Sequence, residues 1–208
     1  MSDDVKVVYD AVVDDYVANI FHELRHKPFD RQLLDDLAER AGGGIVCDLG
    51  CGPGQVARYL HDHGANACGV DLSPAMVERA RALSPGIPFF EGDMRALDMP
   101  DRAWQAIVAF YSIVHFRPPE LPDIFRELRR VTAPGGLLLL AFHLGSEMVH
   151  RDEWWGHAVS VDFFFFETAE VIAALQDAGW TVERVAERDA YPDVEYQSRR
   201  AYITATEE

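Results

Sequence analysis

The sequence predicts an α/β fold: a doubly wound, mostly parallel sheet with helices on both faces, closed by an antiparallel strand pair. Three observations carry this. Short apolar strand segments alternate with helical ones from Ile45 to Phe142. A glycine-rich turn, Gly50 to Gly54, joins the first strand to the first core helix. Beyond Gly179 the alternation stops and two strand segments follow one another.

Taken in order, the helical spacing of apolar residues from Val5 to Ala41 predicts two N-terminal helices. Pro28 opens the second, which lines up Leu33, Leu34 and Leu37 on one face. Gly42-Gly43-Gly44 ends it, and Ile45-Val46-Cys47-Asp48-Leu49 reads as a short buried strand. Gln55 to His63 is helical, Asn66 to Val70 is a second strand ending at Asp71, and Ser73-Pro74 caps a helix running to Leu83. Ile87 to Phe90 and Trp104 to Tyr111 are further strands, Leu121 to Arg130 a helix, and Leu137 to Phe142 a fifth strand after the Pro134-Gly135-Gly136 turn. Val159 to Phe166 is β-rich and aromatic. Thr168 is an N-cap with Glu170 in the first turn of a helix that stops at Gly179. Trp180 to Glu187 and Arg200 to Thr204, joined by a turn containing Pro192, form the closing pair.

The 208 residues are read as one domain. Residues 1–41 form an N-terminal helical cap, 42–143 the core, 144–166 an insertion on the substrate side, and 167–208 the last helix and the antiparallel pair. With 49% hydrophobic and 26% charged residues, the composition is that of an ordinary globular protein. No signal-peptide pattern and no bilayer-length apolar run is present, so a cytoplasmic location and no membrane partner are expected. Cys47, Cys51 and Cys68 form no paired framework and are expected as free thiols. A formal charge of −16 opposes binding to nucleic acid, and Arg126, Arg129 and Arg130 read as a solvated helix face. The expected partner is a small-molecule substrate, with the protein a monomer or homodimer.

Asp48-Leu49-Gly50-Cys51-Gly52-Pro53-Gly54 sits where a doubly wound sheet binds a nucleotide-like cofactor. Glycines there let the backbone approach a ligand, and the following helix start offers free N–H groups. Asp71, about 20 residues on at the end of the second strand, is placed to accept ribose hydroxyls. With Gly69-Val70-Asp71-Leu72-Ser73, Glu91-Gly92-Asp93-Met94 and Leu128-Arg129-Arg130-Val131 before Pro134-Gly135-Gly136, the chain resembles the class I S-adenosylmethionine-dependent methyltransferases of the small-molecule type. The resemblance implies a seven-stranded sheet with its last strand antiparallel and S-adenosylmethionine as cofactor. It implies Asp48, Gly50, Cys51, Gly52 and Gly54 around the methionine moiety, Asp71 on the ribose, and Asp93 and Met94 at the adenine, with Leu72 and Met76 as further contacts. Phe110 and Tyr111 would line the reaction centre, and Tyr9 and Tyr16 match aromatic residues on an N-terminal helix that folds over the cofactor as a lid.

Methyl transfer needs an aligned nucleophile, exclusion of water and, for a hydroxyl acceptor, a base within hydrogen-bond reach. His115 and His143, just past the fourth and fifth strands, are the base candidates, and Tyr111 is a third catalytic candidate. His22 and His26 share a spacing that metal sites use, but no metal is expected. Ala109-Phe110-Tyr111-Ser112 departs from the Asn/Asp-Pro-Pro-Tyr signature of enzymes that methylate planar amines. What remains is a small-molecule acceptor, with oxygen slightly favoured over nitrogen, sulfur or carbon. Two competing readings are a nicotinamide-dependent oxidoreductase, opposed by Gln55 where a dinucleotide turn uses a small residue, and an inactive cofactor-binding partner subunit.

Overall fold

The computed structural model describes residues 2–207. Along the chain run α1 (Ser2–Ile20), α2 (Pro28–Arg40), β1 (Ile45–Leu49), α3 (Gln55–Asp62), β2 (Asn66–Asp71), α4 (Pro74–Leu83), β3 (Phe89–Glu91) and β4 (Trp104–Phe110). Then come α5 (Leu121–Val131), β5 (Thr132–His143), β6 (Met148–Trp154), β7 (His157–Phe164), α6 (Thr168–Asp177), β8 (Trp180–Arg188) and β9 (Arg200–Glu207). Seven strands make one sheet in the order β3-β2-β1-β4-β5-β9-β8. All neighbours from β3 to β5 are parallel, and β9 runs antiparallel between β5 and β8. The strand order reverses between β1 and β4, which opens a crevice at their carboxyl ends.

The central strands are buried on both faces, so their sequences are mostly apolar runs rather than alternating, with Asp48 the exception in β1. Alternate residues still go to different layers. Cys47, Leu49, Ile107, Leu138 and Leu140 pack with Ile124, Phe125 and Leu128 of α5 and Val171 and Leu175 of α6. Val46, Ala106, Val108, Leu137 and Leu139 pack on the other face with Leu33, Leu34 and Leu37 of α2 and Val56 and Leu60 of α3. At the start of α4 the Ser73 hydroxyl accepts from Met76 N at 3.1 Å, and Pro74 occupies the first turn.

The N-terminal helices differ from expectation at their junction. α1 stops at Ile20, and a 3-10 turn covers Glu23–His26 before α2. Lys27, ahead of Pro28, sits at φ −117°, ψ 74°, because a residue before proline is kept out of the helical region. His22 and His26 therefore do not share an α-helical face, and no metal-binding cluster occurs among the described residues. A larger difference is the hairpin of β6 and β7, which pairs with itself and stands apart from the main sheet. In β6 every residue is partly or fully exposed, so the strand carries no apolar alternation for a sequence reading to find.

α1 lies across the carboxyl edge, against α4 and β7. Asp10 accepts from the Ser73 hydroxyl at 2.5 Å and Ala75 N at 3.2 Å, Asp14 pairs with Arg79, and Asp15 meets His157 at 2.9 Å. Trp154 packs edge-on against both Tyr9 and Tyr16. The arginines of α5 are all engaged: Arg126 with Asp123 and Asp177, Arg129 with Glu207, and Arg130 with Glu127 and Asp101. Among the described residues no helix is long and apolar enough to cross a membrane.

Candidate active site

The crevice between β1 and β4 is built first from backbone. After Leu49 the chain turns at Gly50 (φ 72°), whose N–H donates to Val70 O at 2.8 Å. A Cβ on Gly50 would lie 2.4 Å from Ser112 Cβ, so only glycine lets the turn close on the end of β4. Gly52 (φ 51°) leaves its backbone bare beneath Tyr16, where a Cβ would sit 3.6 Å from the ring. Asp71 links the two turns, its carboxylate accepting from Gly52 N at 2.7 Å and Ser73 N at 2.8 Å. Burial pushes its carboxyl up to about 6, although both N–H groups favour the charged form.

One cleft gathers Tyr9 and Tyr16 from α1 with Gly50, Gly52, Asp71, Leu72, Asp93, Met94, Phe110, Tyr111 and His115. Lys6, Ser73 and Ser112 also line it. With α1 in place the free space is about 90 Å³, below the roughly 300–1,000 Å³ of small-molecule pockets, so the cleft must widen to take a nucleoside-sized ligand. Asp93 is held by the Arg95 guanidinium, Nε to Oδ1 3.0 Å, and this contact keeps its carboxyl below the ordinary value despite burial.

In the same cleft Tyr9 Oη lies 2.9 Å from His115 Nε2, and His115 Nδ1 lies 3.2 Å from the carbonyl of Asp162. A carbonyl only accepts, so Nδ1 carries the ring proton and Nε2 receives the Tyr9 hydroxyl. Burial pulls the imidazole down to about 4 and raises the Tyr9 phenol, with the charge of Asp71 adding to the latter. His115 is thus neutral.

Tyr111 (φ 54°) takes a left-handed conformation that bulky residues rarely adopt, with its N–H bonded to Ala141 O at 2.8 Å. Its hydroxyl accepts from Arg200 Nε at 2.9 Å and lies 3.4 Å from Tyr202 Oη. Behind it runs a buried ionic network. Lys27 meets Glu23 at 2.7 Å and Glu195 at 3.3 Å, Arg200 meets Glu195 at 3.1 Å, and Arg188 meets Asp30 at 2.8 Å and Glu195 at 2.5 Å. The cations and anions of the network are equal in number, as burial demands. With its hydroxyl committed there, Tyr111 offers the cleft its ring.

Five residues expected at the site do not line the cleft. His143 does not line the cleft: it sits beyond Tyr111, with Nδ1 2.7 Å from Ser198 Oγ and its ring stacked on Phe165 at 4.9 Å. Phe165 and Ser198 are walls of a second, more open cavity of about 320 Å³. The Met76 and Cys51 side chains are buried, and Cys51 packs with Ala57, Val77 and Phe89. At Gly54 a Cβ would meet the Phe89 ring at 2.7 Å, so that glycine serves packing of β3. Asp48 faces α3, accepting from Ala57 N at 3.0 Å, and burial pushes its carboxyl up to about 7.

Ser112 is the residue that sequence reasoning missed. It is 9% exposed, lines the cleft, and its Oγ has no hydrogen-bond partner within the protein. Its place two residues beyond β4, at the switch point, is the signal that marks it. This orphan hydroxyl, the bare Gly52 backbone and the Asp71 carboxylate fit a ligand with an amino-acid end and a ribose, such as S-adenosylmethionine.

Comparison with known proteins agrees with that fit. Residues 46–136 match the family model described as a methyltransferase domain. A malonyl-[acyl-carrier protein] O-methyltransferase of Serratia marcescens is 30% identical over 54% of this chain and 44% of its own length. An uncharacterised methyltransferase of Synechocystis is 29% identical over 73% of each chain. The chain thus spans less than half of the first of these relatives. Among solved structures, an S-adenosylmethionine-dependent methyltransferase of Methanosarcina mazei superposes with TM-score 0.74 at 16% identity, covering 84% of this chain and 96% of that one. The match to a methyltransferase domain spans the glycine turn and Asp71 and opposes the nicotinamide reading, and the fold is that of S-adenosylmethionine-dependent methyltransferases of known structure.

Proposed function

We propose that the protein transfers a methyl group from S-adenosylmethionine to a small-molecule acceptor, with oxygen as the atom methylated. The observation that carries this reading is the Tyr9–His115 contact in the same cleft that holds Asp71 beside the glycine turn. When bound, the cofactor supplies an electrophilic methyl on a sulfonium. The protein does the rest by position. Asp71 receives the ribose hydroxyls, Asp93 and Met94 border the base, and the open, side-chain-free backbone of Gly50 and Gly52 meets the amino-acid end. Tyr16 closes over Gly52, and α1 excludes water from the reacting atoms. His115, neutral and half-buried, takes the proton that a hydroxyl acceptor must release.

The test is incubation with methyl-labelled S-adenosylmethionine and a pool of small hydroxylated, amino and thiol compounds. Label recovered in an O-methyl product supports the reading; label confined to protein or nucleic acid overturns it.

A further inference from the structure

His115 and Tyr9 reach each other from opposite sides of the cleft, one on the Ile113–His115 turn after β4 and the other on α1. The contact exists only when α1 lies down. It assigns roles: Asp162 O fixes the proton on Nδ1, and Nε2 is the acceptor facing the Tyr9 hydroxyl. Tyr9 lines the cleft, and its hydroxyl, donating to His115, keeps a lone pair for a second partner. The rings of Phe110, Tyr111 and Phe116 also line the cleft and suit a flat, apolar acceptor. The cleft's lysine, Lys6, is bonded to Asp10 at 3.3 Å, leaving an anionic acceptor poorly served.

We propose that Tyr9 and His115 form a proton relay assembled by closure of α1, and that it serves a neutral phenol-type hydroxyl. The inference rests on the methyltransferase reading. A lone pair of the phenol oxygen forms the new C–O bond while the electron pair of the breaking C–S bond stays on sulfur. The phenol proton passes to Tyr9 Oη as Tyr9 passes its own to His115 Nε2. The site loses one positive charge at sulfur and gains one on the imidazolium, so its net charge is constant through the step. Nδ1–H continues to donate to Asp162 O, and the imidazolium releases its proton to water once α1 lifts. Before transfer the ring has to be neutral, since a second cation beside the sulfonium would repel it, and burial keeps it so.

Two measurements on the intact protein test this. The first is nitrogen-15 NMR of histidine-labelled protein saturated with S-adenosylhomocysteine, with His115→Gln giving the assignment. The relay predicts the Nδ1–H tautomer with a hydrogen-bonded Nε2 whose resonance moves in Tyr9→Phe, while affinity for S-adenosylhomocysteine changes less than about threefold. An Nε2–H tautomer, or an Nε2 resonance unmoved by Tyr9→Phe, overturns it. The second offers phenol, 4-methylphenol and hydroquinone alongside benzylamine and hexanoate. Methylation of the phenols is expected, with kcat lowered about 10²- to 10³-fold in Tyr9→Phe and KM for S-adenosylmethionine unchanged. Methylation of the amine or carboxylate and of none of the phenols, or an unchanged kcat in Tyr9→Phe, overturns the proposal. Failure of wild-type protein to bind S-adenosylhomocysteine would instead remove the methyltransferase reading beneath it.

Discussion

At Asp71 two backbone N–H groups, of Gly52 and Ser73, already occupy the carboxylate that is assigned to the ribose. The same side chain therefore sets the spacing of the two turns and keeps lone pairs for a ligand, since a carboxylate accepts about four hydrogen bonds. Asp71→Ala is expected to lower affinity for S-adenosylmethionine by at least about 100-fold, the worth of one or two charge-assisted hydrogen bonds, with far-ultraviolet circular dichroism retained. Calorimetry on a folded variant checks this, and unchanged affinity would remove the ribose assignment. His143 is a different kind of residue, a half-buried ring serving stability. Burial holds it down to about 3, so the stability of its neutral form is complete above the ordinary histidine value and is lost as pH falls from there toward 3. Asp48 and Asp71, pushed up to about 7 and about 6, act in the opposite sense, destabilising as pH rises from the ordinary aspartate value. In His143→Gln the drop in unfolding free energy between pH 7 and pH 5, read from urea melts, should be smaller than in the wild type. An equal or larger drop would show that His143 is not held neutral.

The element that matters most is α1, tied down by contacts that the glycine motif does not encode. Its grip depends on the β6–β7 hairpin, through Trp154 on Tyr9 and Tyr16 and through His157 on Asp15. Trp154→Ala removes the aromatic half of that grip. Amide exchange in α1 is expected to accelerate about tenfold, a loss near 1.4 kcal/mol of local stability within the range of such aromatic contacts, while the central strands stay protected. Unaltered exchange in α1 would mean that the hairpin does not hold the lid. The helix itself was legible from its apolar spacing and its tyrosines, whereas β6 was not. β6 faces solvent along its length and pairs only with β7, so no hydrophobic period marked it, and Gly156 (φ 84°) in the tight turn between the two strands was its one local sign. The strands of the main sheet were legible for the converse reason, since burial on both faces forces apolar runs between glycine and proline turns.

At the scale of the whole molecule, the N-terminal cap and the C-terminal strands are joined by the ionic network behind Tyr111. Glu23, Lys27 and Asp30 come from one end of the chain, and Arg188, Glu195 and Arg200 from the other. No local pattern announces such a network, because its members are scattered over the sequence and each reads as a surface charge. The same distance effect hid the fate of His143 and Met76: position along a strand or helix indicated the sheet edge, but the side-chain direction was set by partners far away in sequence. Arg200→Met strips Glu195 of a buried partner and frees the Tyr111 hydroxyl. A loss of about 3–5 kcal/mol in unfolding free energy is expected from chemical denaturation, and a loss under about 1 kcal/mol would show the network to be dispensable.

The cleft at the switch point, closed by α1, is the feature from which all the functional statements descend. Calorimetric titration of the protein with S-adenosylmethionine, S-adenosylhomocysteine and NADH tests it most directly. Binding of both sulfur compounds at micromolar concentration, with no heat from NADH, is the predicted result. Binding of NADH alone, or of none of the three, would contradict it.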